Sequence, residues 1–377
     1  MLIPWSYIIY LKYFIFGLFS LAVFIQLIYY WFVYARLIFQ KRIPKLKVYP
    51  VSVIICARNE AHNLRANLKS VLEQEHRNYE VIVVNDCSTD DTDEVLGEYL
   101  KKYKHLRVTS IAPDKKFSHG KKLALTVGIK AARHEWLVLT DADCAPVSNQ
   151  WLNRLQENFS DNTEIVLGYG GYVARKGFVN AYIRYDTVFI AMQYLGFALA
   201  GTPYMGVGRN LAYQKSLFFK NKGFASHYGL ISGDDDLFVN ETANALNTAV
   251  EFHPESHTLS IPKLTWNEFF RQKKRHFTTS GRYRSSHIFK LGMEPFSRLL
   301  FYVTFCYLLA FNILAIPVLI IAGVRIITQL IIFKISMHRL SVHGILMGVL
   351  LFDLLSLFIN FNIYLTSIFR RQKTRWK

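Results

Sequence analysis

Hydrophobic residues are concentrated near the two ends of this chain, and a more polar section separates them. Between Tyr7 and Leu37 the only charged residues are Lys12 and Arg36. A helix needs about 20 apolar residues to cross a hydrocarbon core of about 30 Å, so this stretch predicts a membrane-spanning helix. It is too long for a secretory signal peptide, and no small-residue cleavage site follows it. We therefore expect residues 1–40 to form a retained N-terminal transmembrane anchor.

Two more apolar stretches lie in the last quarter of the chain. They predict transmembrane helices over 296–325 and 344–370, and Asp353 is the only charge that interrupts the second between residues 344 and 369. The region between them, 326–343, contains an apolar run that is too short to span alone. It is interpreted as a linker or a re-entrant segment, and a total of three or four spans remains open.

The polar section between the spans has the pattern of an α/β domain over 48–262. Short apolar runs alternate with amphipathic stretches, as in strands joined by crossover helices. Runs as uniformly apolar as 51–55 and 81–84 are typical of strands covered on both faces, which favours a mainly parallel sheet with flanking helices. Strands are predicted at 51–56, 79–85, 106–110, 135–140 and 164–169, and helices at 63–73, 91–102 and 121–132. Ligands of such sheets bind at the carboxyl ends of the strands.

The composition agrees with a membrane protein, since 51% of the residues are hydrophobic and 15% are aromatic. The formal net charge is +18, and much of it lies beside the spans and between Arg271 and Arg284. Positive charge at these places favours contact with anionic membrane lipids, and we expect no nucleic-acid partner. Basic flanks lie on the cytoplasmic side of membranes, which predicts a cytoplasmic polar domain and a basic cytoplasmic tail over 371–377. The flanking basic residues are Arg36, Lys41, Arg42, Lys45 and Lys47 after the first span, and Arg370, Arg371, Lys373, Arg375 and Lys377 after the last.

Two carboxylates, Asp141 and Asp143, directly follow the predicted strand 135–140. Carboxylates this close repel each other, and a bound cation removes the repulsion. Oxygen ligands suit Mg²⁺ or Mn²⁺, which keeps open positions for the phosphates of a substrate. The alternative for an Asp-x-Asp sequence is a solvated loop without a metal.

Other polar residues follow the predicted strands or begin the helices. Ala57, Arg58 and Glu60 follow the first strand, and Asp86 follows the second, where helix capping by Ser88 or Asp90 is an alternative role for the loop. Lys121 lies in His119-Gly120-Lys121-Lys122 at a helix start, where amides and a lysine can hold an anion, and a solvated basic turn is the alternative. Arg209 lies in Gly206-Val207-Gly208-Arg209-Asn210, which offers a guanidinium or shapes a turn. A third acidic cluster is formed by Asp234, Asp235 and Asp236.

Six sequence elements, five of them containing residues named above, occur in an order that resembles the family 2 glycosyltransferases with the GT-A (Rossmann-like) fold, in particular their membrane-anchored bacterial members. The matching stretches are Val51-Ser52-Val53-Ile54-Ile55-Cys56-Ala57-Arg58-Asn59-Glu60, Val83-Val84-Asn85-Asp86-Cys87-Ser88-Thr89-Asp90, Gly120-Lys121-Lys122-Leu123-Ala124-Leu125, Asp141-Ala142-Asp143, Ser232-Gly233-Asp234-Asp235-Asp236-Leu237 and Gln272-Lys273-Lys274-Arg275-His276. The resemblance covers about residues 48–280. It implies an integral protein of the bacterial plasma (inner) membrane.

The resemblance also implies roles for individual residues. The loop with Ala57, Arg58 and Glu60, together with Asp86, would hold the nucleoside of a nucleotide-sugar donor. Asp141 would lie near the ribose and phosphates, and Asp143 would bind the metal. Asp234 and Asp235 match the acidic pair near the acceptor, with Asp235 as general base, and the adjacent Asp236 leaves the register open by one.

The last matching element departs from the family pattern. In Gln272-Lys273-Lys274-Arg275-His276 a histidine replaces the tryptophan of the family's Gln-x-x-Arg-Trp element, which contacts diphosphate and acceptor sugar in relatives. The segment 263–295 is predicted to be a basic interfacial helical segment, with Lys273, Lys274 and Arg275 near lipid headgroups. His276 makes processive polymerisation doubtful.

The sequence therefore predicts inverting, metal-dependent transfer of a sugar to a membrane-attached acceptor, either lipid-linked or a polysaccharide. A component of a processive polysaccharide synthase and a catalytically inactive nucleotide-sugar-binding assembly subunit are the alternatives. A transporter with a cytoplasmic regulatory domain is disfavoured, because Asp353 is the only acidic residue within the predicted spans.

Overall fold

The computed structural model of the protein describes residues 5–40, 47–112, 120–230 and 232–369. His119, the flanking residues Lys41, Arg42 and Lys45, and the tail 371–377 lie outside this part of the chain. Within it the strands are β1 Val51–Ala57, β2 Tyr79–Asp86, β3 Leu106–Ile111, β4 Trp136–Asp141, β5 Cys144–Pro146, β6 Ile165–Leu167, β7 Gly170–Tyr172, β8 Leu211–Gln214, β9 Thr248–Val250 and β10 Thr258–Ser260.

Helices surround these strands and extend beyond them. Those in the described ranges are α1 Trp5–Ile28, α2 Arg36–Phe39, α3 Ala61–Leu72, α4 Thr92–Lys102, α5 Lys121–Ala131, α6 Trp151–Gln156, α7 Phe178–Leu199, α8 Lys215–Lys220, α9 Asp236–Thr242, α10 Trp266–Ser280, α11 Ser285–Ala310, α12 Ala315–Arg339 and α13 Val349–Phe369. A π-helical segment, Tyr29–Tyr34, joins α1 to α2.

The main sheet of the described chain has the strand order β3-β2-β1-β4-β8-β6-β9. The pairs β1–β2, β1–β4, β2–β3 and β6–β9 are parallel, whereas β8 runs antiparallel to both β4 and β6. The predicted mainly parallel α/β sheet with flanking helices is therefore confirmed. A smaller sheet has the order β5-β10-β7.

The apolar side chains of β1 alternate between two cores. Val53 belongs to a core that includes Leu64 and Leu68 of α3, whereas Ile54 belongs to the core on the other face with Ile129 of α5. Successive strand side chains point to opposite faces, so a uniformly apolar strand has to be covered on both. This burial fixes β1 and β4 at the centre of the sheet and places the ends of both strands at one edge.

The 22-residue helix α7 was not among the predicted elements. Its sequence is apolar on nearly all sides and carries no clear amphipathic period, which is typical of a buried helix. α7 packs against the π-helical segment, where Gly196 faces the backbone of Val33. A Cβ at position 196 would lie 2.7 Å from the Val33 carbonyl oxygen, so only glycine allows this approach. α7 thereby joins the α/β domain to the first apolar helix.

Three helices of the described chain are long and apolar enough to cross a membrane, namely Tyr10–Phe39, Ala315–Arg339 and Leu346–Thr366. The predicted single helix over 296–325 is wrong, because α11 ends at Ala310 and α12 begins at Ala315. The linker or re-entrant segment predicted over 326–343 is also different, since residues up to Arg339 continue α12.

The turn between α11 and α12 has a local cause. Asn312 adopts φ +51°, and its amide and that of Ile313 donate to the carbonyls of Leu309 and Leu308 at 3.1 and 2.8 Å. This is the Schellman arrangement, in which a left-handed residue, often Asn, ends a helix. Asn312 was therefore a signal in the sequence for a helix end inside the apolar run.

Buried charges join the apolar helices around Asp353 of α13. Arg298 of α11 and Arg325 of α12 lie 2.9 and 3.1 Å from its carboxylate oxygens, and Glu294 lies 3.5 Å from Arg298. All four side chains are at most 3% exposed. We call these four residues the Asp353 ion cluster. It ties α13 to α11 and α12.

Asp353→Asn is expected to destabilise the protein by about 3–5 kcal/mol, because it removes the carboxylate partner of the buried Arg325 and leaves Arg298 with Glu294 alone. Thermal or denaturant unfolding in detergent measures the change. The matched control is Asp161→Asn, which removes a carboxylate that is 91% exposed and 3.8 Å from Lys47, and which should cost at most about 1 kcal/mol. Equal stabilities of the two variants would contradict the structural role of the cluster.

Candidate active site

A cavity of about 1120 Å³ lies at the carboxyl edge of the main sheet and continues toward α10, α11 and α13. It gathers residues from distant parts of the sequence. The predicted site residues in its wall are Lys121, Asp141, Asp143, Arg209, Asp234, Asp235, Asp236, Gln272, Arg275 and His276. Ala57 and Asp86 end the neighbouring strands β1 and β2 of the same sheet, and Arg58 and Glu60 follow β1. None of the four is part of this wall.

Asp141 ends β4, and Asp143 follows after one residue. Ligand atoms of Asp141, Asp143 and Cys144 lie within 4.8 Å of one another. Burial, with Asp143 nearby, raises the pKa of the Cys144 thiol well above its usual value, so the sulfur is neutral. The two carboxylates are then the groups that fit a hard divalent cation such as Mg²⁺ or Mn²⁺.

The two carboxylates differ in their surroundings. Burial and the negative charge of Asp141 raise the pKa of Asp143. Burial also opposes the charge on Asp141, but the Lys121 ammonium prevails and holds the pKa of Asp141 below its usual value. A cation bound between the carboxylates would relieve the repulsion that raises the pKa of Asp143.

Lys121, in the first turn of α5, bridges two acidic clusters. Its Nζ lies 2.8 Å from Asp141 Oδ1 and 3.0 Å from Asp234 Oδ2. Burial disfavours the ammonium, yet Asp141 and Asp234 raise its pKa well above the usual value. The sequence placed Lys121 beside an anion, and the structure assigns it two carboxylates of the protein. Lys122 points away and donates to the carbonyls of His227 and Leu230 at 2.6 and 3.0 Å.

The three residues of the acidic triplet have different partners. Asp234 is paired with Lys121. Asp236 accepts hydrogen bonds from Thr279 of α10 and, at 2.8 Å, from Tyr283. Asp235 accepts from the backbone amide of Gly208 at 2.7 Å. Its other oxygen accepts from the Asp236 amide at the start of α9, at 2.8 Å.

Asp235 has the electrostatics of a group that exchanges protons near neutrality. Its burial, together with the charges of Asp234 and Asp236, raises the pKa of Asp235 to about 7. Lys121 and the Gly208 amide act in the opposite direction. A carboxyl with a pKa near 7 is matched to general acid–base work at physiological pH.

Arg209 and Gln272 meet at Tyr172 of β7, a residue that the sequence analysis did not single out. The Arg209 guanidinium lies 4.4 Å from the centre of the Tyr172 ring, and Gln272 donates to the Tyr172 hydroxyl at 3.1 Å. This stacking fixes the orientation of the guanidinium at the cavity wall. Nothing local in the sequence marks Tyr172, because its partners are more than 35 residues away.

The helix α10 lies in the segment predicted to be basic and interfacial, and one of its lysines differs from the prediction. Lys273 was expected near lipid headgroups, but its ammonium lies 2.5 Å from Asp186 of α7 and its side chain is 12% exposed. His276 faces the cavity. Partial burial in the cavity wall, with Arg275 and Lys273 beside it, lowers the pKa of His276 well below the usual value, so its ring is neutral at pH 7.

The loops after β1 and β2 hold each other in place. The Asn59 amide donates to Ser88 Oγ at 2.9 Å, and the Thr89 amide donates to Asn59 Oδ1 at 2.8 Å. Arg58 lies 4.0 Å from the buried carboxylate of Asp86. Asp90 accepts hydrogen bonds from the amides of Ala61 and Thr92, the first residues of α3 and α4, both at 3.1 Å. Of the two capping candidates, Ser88 and Asp90, Asp90 therefore makes the contacts at the helix starts.

Comparison with known proteins identifies the domain. Residues 52–220 match the family model described as glycosyl transferase family 2. The chain is 26% identical over 291 residues to the probable glycosyltransferase YdaM of Bacillus subtilis (strain 168), which covers 72% of this chain and 67% of YdaM. It is 29% identical over 129 residues to the UDP-Glc:alpha-D-GlcNAc-diphosphoundecaprenol beta-1,3-glucosyltransferase WfaP of Escherichia coli, which covers 34% of this chain and about half, 48%, of WfaP.

The fold is shared with a solved structure. Mannosyltransferase PcManGT from Pyrobaculum calidifontis, in complex with GDP-Man and Mn²⁺, superposes with a TM-score of 0.59 at 18% identity over 92% of this chain and 99% of that chain. At this level of identity the likeness concerns the fold, and it agrees with the GT-A fold expected from the sequence. Residues 52–220 thus form a domain of the glycosyl transferase family 2 type, and the glycosyltransferase relatives and the shared fold support a glycosyltransferase.

Proposed function

We propose that the protein transfers a sugar, with inversion at the anomeric carbon, from a nucleotide sugar to a membrane-attached acceptor at the cytoplasmic face of the bacterial plasma membrane. The acceptor is lipid-linked or a polysaccharide, and the name of WfaP, with its diphosphoundecaprenol acceptor, supports the first kind. The observation that carries the proposal is the different pairing of the acidic triplet. All three side chains lie in the cavity wall, but Lys121 engages Asp234, and Thr279 and Tyr283 engage Asp236. Asp235 accepts from the backbone amides of Gly208 and Asp236, and its pKa is raised to about 7.

Each part of the site has a task in this reaction. The loops with Ala57, Arg58, Glu60 and Asp86 would hold the nucleoside. Asp141 and Asp143 would hold a divalent cation, which supplies charge stabilisation to the leaving diphosphate when bound. This role is supported by the position of the two carboxylates at the end of β4, where their ligand oxygens lie within 4.8 Å of each other.

The chemical step requires one base. The acceptor hydroxyl oxygen forms a bond to the anomeric carbon while the bond from that carbon to the diphosphate oxygen breaks, and the diphosphate leaves with the electron pair. Asp235 would accept the hydroxyl proton as the oxygen attacks. Arg209 and Arg275, both in the cavity wall, would offset the negative charge of the donor, and His276 and Gln272 would contact the sugars.

The pH dependence of kcat tests the role of Asp235. Below its pKa of about 7 the carboxyl is protonated and cannot accept a proton, so kcat should fall about tenfold for each pH unit below 6 and level off above 8. The measurement is kcat against pH at saturating donor, acceptor and metal, with protein stability followed over the same range. A kcat that stays constant from pH 5 to 8 while the protein remains folded would exclude Asp235 as the base.

A donor screen tests the function as a whole. Purified protein in lipid vesicles is incubated with UDP-, GDP- and dTDP-sugars and a bacterial lipid extract, and the lipid products are identified by mass. We expect one class of donor to yield a glycosylated lipid in the presence of Mg²⁺ or Mn²⁺. Turnover of none of the donors, with or without an acceptor, would contradict the proposal.

A further inference from the structure

The part of the cavity farthest from the sheet is an apolar groove between α11 and α13. On α11 the groove is lined by Ile288, Leu291, Gly292, Pro295 and Leu299. Ile288, Leu291, Pro295 and Leu299 follow one another at intervals of three or four residues, so they lie on one face of the helix. Glu294, Phe296 and Arg298 of α11 also line the cavity. The opposite wall therefore has to come from another element.

α13 supplies this opposite wall. Leu357, Phe358, Phe361 and Tyr364 line the groove, again at helical spacing. Phe358 and Phe361 are each 63% exposed, so large apolar groups face open space beside the site. Exposing such large aromatic side chains to water is unfavourable, whereas contact with hydrocarbon is favourable.

The groove is continuous with the candidate active site, because the same cavity contains Asp235 and Arg275 at its polar end. Its apolar end lies between helices whose outer faces carry exposed residues such as Val303 and Leu351. α13 contains one of the candidate membrane spans. The Asp353 ion cluster holds α13 in register with α11. One continuous cavity therefore extends from the apolar helices to the carboxylate of Asp235.

We infer that the groove between α11 and α13 binds the hydrocarbon chain of a lipid acceptor, entering from the side of the apolar helices, so that its polar head reaches Asp235. This inference rests on the proposed function and narrows it, since apolar walls offer few hydrogen bonds to a polysaccharide chain. The cavity exceeds the roughly 300–1,000 Å³ of ordinary small-ligand pockets, as a site for a donor and part of a lipid must.

Gly292 provides a clean way to close the groove. A Cβ at this position would meet no atom within 4 Å, and Gly292 lines the groove, so Gly292→Phe adds its ring at the groove wall. Gly323 of α12 is the matched control. It is also a helical glycine with no atom within 4 Å of its Cβ, and it is not part of the cavity wall.

The experiment measures labelling by two diazirine-tagged alkyl phosphates, one with a hexadecyl and one with a butyl chain, on the full-length protein in lipid vesicles. Cross-links mapped by mass spectrometry are expected at residues 288–299 and 357–364 with the hexadecyl probe. Each buried methylene is worth about fourfold in affinity, so the butyl probe should label these residues at least about tenfold less. Gly292→Phe should reduce the hexadecyl labelling about tenfold or more, and Gly323→Phe should leave it unchanged.

Labelling spread evenly over the outward faces of the helices, or unaffected by Gly292→Phe, would overturn the inference. Hydrolysis of a nucleotide sugar by water is measured in parallel, and the control Gly323→Phe should leave it unchanged. A labelled groove in a protein that turns over no nucleotide sugar would reject the proposed function and leave the lipid site standing. Transfer to a lipid product without groove labelling would reject the lipid site alone.

Discussion

Asp235→Asn is expected to lower kcat for sugar transfer by about 10² to 10⁴, the usual contribution of a well-placed acid or base. Asparagine keeps the size of the side chain and an oxygen that can accept from the Gly208 amide, a contact of 2.7 Å in the structure. It cannot accept a proton. Donor binding should therefore survive, and the loss should appear in kcat. Nucleotide binding by calorimetry and turnover with saturating substrates separate the two effects.

Asp236→Asn is the matched control for this substitution, and it tests which member of the triplet is the base. Its side-chain oxygen accepts from Thr279 and Tyr283, and an amide oxygen can accept the same bonds. We expect this variant to keep most of its kcat. Normal turnover by Asp235→Asn, or a greater loss in Asp236→Asn, would assign the base to a different carboxylate.

Asp143→Ala is expected to abolish the response of the enzyme to Mg²⁺ or Mn²⁺ and to reduce transfer by about 10² to 10³. Stabilisation of a leaving diphosphate by a metal is worth several kcal/mol, and about 1.4 kcal/mol corresponds to a factor of ten. Binding of Mn²⁺, followed by electron paramagnetic resonance, provides a measurement that does not depend on turnover.

The control for Asp143→Ala is Cys144→Ala. The Cys144 thiol is buried and lies 2.9 Å from Ser260 Oγ, and its raised pKa keeps it from acting as a charged ligand. We expect Cys144→Ala to bind Mn²⁺ normally. Undiminished Mn²⁺ binding by Asp143→Ala would show that the metal is held elsewhere.

The parts of the fold that were predicted are those in which the local hydrophobic pattern follows directly from the burial of each element. The central residues of β1 and β2, 53–56 and 81–84, are all apolar because both faces of the sheet are covered. The strand ends could therefore be located, and Asp86, Asp141 and Asp143 could be placed at one edge. The first three helices of the α/β domain, α3, α4 and α5, were also predicted from the sequence. Their predicted bounds differ from the observed ones by at most two residues.

The parts that were missed depend on partners far away in the chain. α7 lacks a clear amphipathic period because it is buried between the sheet and the apolar helices, so its pattern gave no helix signal. Lys121 was placed near an anion, but its pairing with Asp234 joins residues 113 positions apart. The partners of Asp353 are likewise on other helices. Hydropathy alone also merged α11 with α12, since the turn at Asn312 adds little polarity to an apolar run.

The hydrogen bonds of Asp236 couple the position of α10 to the position of Asp235, the proposed base. Thr279 of α10 and Tyr283 hold Asp236, and the adjacent Asp235 is only about 3.8 Å away from Cα to Cα. A shift of α10 relative to the sheet must therefore move Asp235 or break these two bonds. If α10 lies on the bilayer surface, lipid packing and headgroup spacing set its height. The turnover rate measured in a native bilayer is then expected to differ from the rate measured in a detergent micelle.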